Sequence, residues 1–190
     1  MPASIPADRI LEAVLEVWRE RGYGAATTVA VARRAGVGEV TLFRRFGDKA
    51  RLFGAALDRE AEALRAAAPR FTGDVEQDLL DVAASYDAMV SRNAAIIIDF
   101  LCSAPYIDDL AKLTPSPLAA VNQLALIIDM HQKAGNLRGS DPHTELAELL
   151  GPILLKRMLA EAQPALALSN ELPALVERYL HGRIAEQPRW

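Results

Sequence analysis

Between Thr28 and Arg51 the chain carries six Lys or Arg residues against two Asp or Glu. A local excess of cations of this size suits a polyanion. The cations are also spaced: Arg33 and Arg34 come before a glycine-centred break at Gly36-Val37-Gly38, and Arg44, Arg45, Lys49 and Arg51 follow it. Ala32, Gly36 and Leu42 sit where two short helices crossing steeply need a small residue, a reversing glycine and an apolar lock. With Val31, Ala35 and Val37 they place six agreeing positions within twelve residues, the pattern of a helix-turn-helix. Turning Leu42 and Phe46 inward leaves Glu39, Val40, Thr41, Arg44 and Arg45 outward, with short side chains for base edges and cations for phosphates. Double-stranded DNA is the partner this surface implies.

Other chemistry is poorly supplied. His131, His143 and His181 form no i, i+4 pair around a glutamate, and neither a nucleophile motif nor a phosphate loop occurs. An all-α enzyme is the competing class, separable because charge removal at Arg44 and Arg45 would spare a distant active site. Cys102 is the single cysteine, which excludes an intrachain disulfide and a cysteine metal cluster and reads as inert packing. No cofactor or metal is expected.

The elements that must hold the cationic surface follow from caps and breakers. A first helix is expected from Pro6 at N1, with Ile10, Val14, Val17 and Trp18 on its buried face and Gly22 and Gly24 at its end. Thr27 or Thr28 caps a second helix to Ala35, a third spans 39–46, and Asp48 caps a fourth from Lys49 to about Ala68, stopped by Pro69. Beyond it, helices are expected at 74–92, 94–103 and 117–134, with a loop or short helix near 106–113. Asp141-Pro142 opens a helix to about Ala162, bent at Pro152, and a last one runs over about 170–185. No half-buried strand pattern is present, so the fold class is all-α: a three-helix DNA-binding domain over 1–48 and a larger helical domain over 49–190.

Composition agrees. The 190 residues are 51% hydrophobic and 24% charged, enough for a sizeable core and a solvated surface. Residues 1–60 hold ten Lys or Arg against eight acids, whereas 61–190 hold eleven against seventeen, so the overall −4 hides opposite halves. No run approaches the roughly 18 apolar residues of a membrane span. The start Met-Pro-Ala-Ser lacks a secretory pattern, so no membrane association and a cytoplasmic location are expected.

Gly22-Tyr23-Gly24, Thr27-Thr28-Val29, Val31 through Gly38, Thr41 through Phe46, Lys49 and Leu52 together resemble the TetR family of bacterial repressors over about the first sixty residues. The resemblance implies that Thr41, Phe43, Arg44 and Lys49 meet phosphates or sugars while Glu39 and Val40 reach toward bases; Thr28, Arg33, Arg34 and Arg45 are further candidates. Phe43 stands where the family often has Tyr, and Gly38 where Ser is common, which removes a hydroxyl and a cap.

For the later helices it implies a small-molecule effector site and a homodimer surface. Tyr86, Met89, Phe100, Asn122, Met130 and Met158 are the candidate effector residues, the aromatic and Met side chains having core spacing as well. Asp99, Gln123, Asp129 and His131 interrupt apolar runs and either line a cavity or face solvent. Leu146, Leu149, Leu150, Ile153, Leu154, Leu172, Leu175, Val176 and Leu180 suggest a four-helix dimer interface, with burial within one chain as the alternative. The function implied is a repressor that binds a palindromic operator as a dimer and leaves it when an inducer binds; activation and corepressor dependence are the alternatives.

Overall fold

The computed structural model describes residues 6–113, 115–166, 168 and 171–181. Helices are the only extended elements among them: α1 (Ala7–Ala25), α2 (Thr28–Ala35), α3 (Glu39–Phe46), α4 (Lys49–Ala66), α5 (Val75–Ser103), α6 (Asp108–Ala111), α7 (Pro115–Lys133), α8 (Pro142–Ala162) and α9 (Leu172–Leu180), with a 3-10 turn at Pro164–Leu166. The all-α expectation holds.

Local chemistry accounts for most boundaries. The Thr27 side chain accepts from the Ala30 N–H, Asp48 from Arg51, and Asp141 from His143 and Thr144, each satisfying a donor that a helix start leaves open. Gly36 follows α2 at φ 71°, a left-handed position that a side chain would strain. Pro6 takes the N-cap position of α1, not N1, with an extended ψ of 147°. The two helices expected over 74–103 are one, α5, interrupted only at Asn93 (φ −122°, ψ 15°). There the Asn93 amide donates to the Met89 carbonyl, the acceptor its own backbone N–H would use in a regular helix. Pro152 lies inside α8 without ending it. The last helix is shorter than expected at both ends: its first residue is Leu172, and 182–185 of the expected range lie outside the described residues.

The chain divides into two compact units, Met1–Ala63 with Ala95–Leu118, and Leu64–Ala94 with Ala119–Trp190. In the first, Ile10, Val14, Val17 and Trp18 of α1 are buried as expected, against Val31 and Ala35 of α2, Leu42 of α3 and Leu52 and Phe53 of α4. The later segment adds Ile96 and Leu110 to that same core. Trp18, Tyr23 and Phe53 close it as an aromatic triangle with centroids 5.1–5.5 Å apart, within the range where tilted and edge contacts are favourable. In the second unit Leu79, Val82, Leu124, Ile128, Leu149 and Ile153 are fully buried.

Candidate nucleic-acid interface

The α2–α3 pair stands on this aromatic base. Leu42 is 1% exposed and anchors α3, while Phe46 is half-buried at the same end. The opposite face carries Val40, 80% exposed, with Phe43, Arg44 and Arg45 also outside. Thr41 is half-buried.

Thr28, Glu39, Arg34 and Lys49 have partners within the protein. Thr28 Oγ1 donates to Glu39 Oε1, which ties the first residue of α2 to the first residue of α3. Arg33 is exposed. Arg34 turns back to α1, where its guanidinium donates to Glu16 (2.9 Å) and Glu20 (2.8 Å); those bonds, Glu16 first, hold its pKa above the ordinary value. Lys49 Nζ donates to the Tyr23 carbonyl at 2.6 Å and sits 4.2 Å from the centre of the Tyr23 ring, an arrangement in which ring and carbonyl both attract the ammonium. Partial burial lowers the Lys49 pKa against the opposing pull of Asp109. Burial, with Asp109 and Asp48 adding to it, pushes the Tyr23 phenol up to about 12.

Asp99 holds the turn after α1. Its Oδ2 accepts from Trp18 Nε1 at 2.7 Å and from the Tyr23 backbone at 2.8 Å, and Ser103 donates to Oδ1. Gly22, at φ 71°, lets the chain pass so close that an added Cβ would lie 3.1 Å from Asp99 Oδ1. Asp99 therefore neither faces solvent nor lines a cavity of the second unit; it is an anchor of the first. Its two α1 partners lie more than seventy residues away in sequence, beyond the reach of any local pattern.

The effector candidates are distributed. Tyr86 is buried in the second unit, where burial raises its pKa; Met89, Met130 and Met158 are half-buried there, and Asn122 is exposed. Phe100 belongs to the first unit and packs against its core. His131 is fully buried, bonded to Asp78 at 3.0 Å and stacked near Phe71, so it does not face solvent; Gln123 does, and Asp129 pairs with Lys133. Glu145, unremarked in the sequence, accepts from Tyr179 Oη and the Ser140 N–H inside the second unit. Cys102 is exposed, not packed. Leu146, Leu149, Leu150, Ile153, Val176 and Leu180 are buried within a single copy, which removes them from the expected interface and leaves Leu155 and Leu159 exposed on α8.

The geometry defines a class: a helix-turn-helix domain with its cationic, partly apolar third helix outward. The model of the bacterial regulatory proteins of the tetR family matches residues 10–56, which are α1 through the first half of α4. An uncharacterized HTH-type transcriptional regulator, YvkB of Bacillus subtilis strain 168, is 31% identical over 110 residues; the match spans 57% of this chain and 58% of that relative's length. Among solved structures, the flavonoid-responsive regulator FrrA superposes with a TM-score of 0.67 at 23% identity over 95% of this chain and 98% of that one. A fatty acid degradation regulator, FadR of Bacillus halodurans, gives 0.72 at 20% over 93% and 96%. A transcriptional regulator of Rhodococcus sp. Rha1 gives 0.72 at 21% over 93% and 97%. Over residues 10–56 the chain carries the N-terminal domain of the bacterial regulatory proteins of the tetR family, and it spans less than two thirds of the curated relative it matches. Among the described residues no helix is long and apolar enough to cross a membrane.

Proposed function

We propose that this regulator is a repressor that binds a palindromic operator as a homodimer and is released by a small-molecule inducer. The outward face of α3 carries the reading: Val40, Phe43, Arg44 and Arg45 project from a helix held by a fully buried leucine. Arg44 and Arg45 supply phosphate contacts, with Arg33 beside them, and Thr28, Thr41 and Phe43 meet the sugar-phosphate edge. Thr28 holds one oxygen of Glu39, leaving the other to accept from a cytosine amino group. Lys49 reaches a phosphate by exchanging the Tyr23 carbonyl for it. Arg34 acts chiefly through its α1 carboxylates.

For the effector, the unit that buries Tyr86 beside half-buried Met89, Met130 and Met158 is the proposed seat, with Asn122 at its surface. Leu155 and Leu159, one turn apart and exposed on α8, support a second copy as partner. Ligand and operator then weaken one another by the same factor. The experiment is selection from a random-sequence duplex library at two salt concentrations, which separates phosphate attraction from base reading. Enrichment of an inverted repeat is expected; no enrichment at either salt overturns the operator reading.

A further inference from the structure

Exposed apolar side chains are concentrated on the DNA-facing helices. Three of the ten large hydrophobic residues exposed among the described residues, Val29, Val40 and Phe43, lie within α2 and α3, which are eight residues each. Single exposed apolar residues need no explanation, but a cluster on an otherwise cationic surface does. Helix propensity does not supply one, since valine is a poor choice for the second position of so short a helix, and a polar residue would cost nothing there. Val29 and Val40 each occupy such a second position, at 60% and 80% exposure. The residues just before them, Thr28 and Glu39, are hydrogen-bonded to each other, so the two valines leave adjacent helix starts.

Resting on the operator reading above, we infer that Val29 and Val40 form a two-residue apolar reader for the C5-methyl groups of thymines in the major groove. The thymine methyl is the one apolar group on a base edge there, and a valine isopropyl can cover it without a polar group of its own to desolvate. Val29 thereby joins the specificity-determining residues. The Thr28–Glu39 bond has a positioning role, fixing the spacing of the two helix starts that carry the reader.

Replacement of thymine by deoxyuridine removes that methyl and leaves the pairing edge intact. In the operator recovered from the wild-type selection, each thymine is replaced singly and binding is measured with the full-length protein. At one or two thymines per half-site the loss should be about fourfold, the value of one buried methyl-sized group, and about fifteenfold when both half-sites are changed. V29A or V40A should reduce that thymine-to-uracil ratio toward one while leaving the salt dependence of binding unchanged. Both side chains are largely exposed, so both variants should keep wild-type helicity by circular dichroism. If wild type is indifferent to uracil at every thymine, or if neither variant alters the ratio, the inference fails while the operator reading stands. If wild type enriches no duplex, both fail.

Discussion

Both compact units turn a carboxylate inward, but they give it different company. Asp99 in the first unit takes an indole N–H, a backbone N–H and a serine hydroxyl, none of which titrates near neutrality. Asp78 in the second unit takes the Thr72 hydroxyl and backbone N–H, the Gly73 N–H, and the imidazole of His131, with both side chains of the Asp–His pair 0% exposed. The first arrangement fixes the turn at the end of α1 that leads into α2 and α3. The second ties the 72–73 turn to α7 through a fully buried carboxylate–imidazole contact. The same residue type therefore secures a turn between neighbouring helices in one unit and joins a turn to a distant helix inside the core of the other.

The comparison breaks most sharply at Asp78. Asp78→Ala strands His131 and the donors of Thr72 and Gly73, and should cost about 3–5 kcal/mol of folding free energy by urea unfolding; a loss below about 1 kcal/mol would mean the network is not an anchor. Burial pushes the Asp78 pKa up, but the bonds from Thr72, Gly73 and His131 outweigh it and leave it below the ordinary carboxylate value. A depressed folded pKa contributes stability above the unfolded value, about 3.9, that is lost as pH falls through the folded one. Asp78→Asn should accordingly flatten the acid limb of a stability-against-pH curve.

Asp99→Ala should cost about 2–3 kcal/mol, from two short bonds to one carboxylate, and should weaken DNA binding only through the fold. Equal loss of affinity at matched folded fraction would contradict that. Arg44→Ala should leave unfolding untouched and reduce the salt slope of operator binding by about one.

The smallest effect is expected at Tyr23, whose buried hydroxyl has no hydrogen-bond partner. Tyr23→Phe should be neutral or stabilising by up to about 1 kcal/mol, because the hydroxyl's desolvation is uncompensated. Since the folded phenol is raised to about 12, its contribution is complete below the unfolded value, about 10, and disappears as pH rises through about 12. Wild type should lose stability over that interval, and the Phe variant should lose less.

These anchors also mark where sequence reasoning stops. Thr27, Asp48 and Asp141 were legible as caps because a cap and its N–H partner lie two or three residues apart. The buried faces of α1 and α3 were legible from period alone. His131 and Asp78 are 53 residues apart and Trp18 and Asp99 are 81, and no periodicity connects such pairs. Asn93 misled for a related reason: a polar residue between two apolar runs reads as a break, whereas its amide bonds back to the Met89 carbonyl and the helix continues through its non-helical backbone. The apolar residues of α8 and α9 were visible, but whether a neighbour within the chain or a second copy covers each one depends on tertiary packing. The exposure of Val40, Arg44 and Arg45 on α3 was readable from period, and Val29 was not singled out because its meaning lies in its exposure.

The glycine before Tyr23 has a consequence for genetics. Its left-handed backbone strains any other residue, and an added Cβ would press to 3.1 Å from Asp99 Oδ1, so that carboxylate would have to give way. A mutagenesis screen for alleles that no longer bind DNA should thus recover nearly every missense change at codon 22, although that codon encodes no side chain that could touch an operator. Such alleles would map the foundation of the helix-turn-helix, and shortening Asp99 should not rescue them, because it removes the anchor of the same turn and leaves the backbone strain in place.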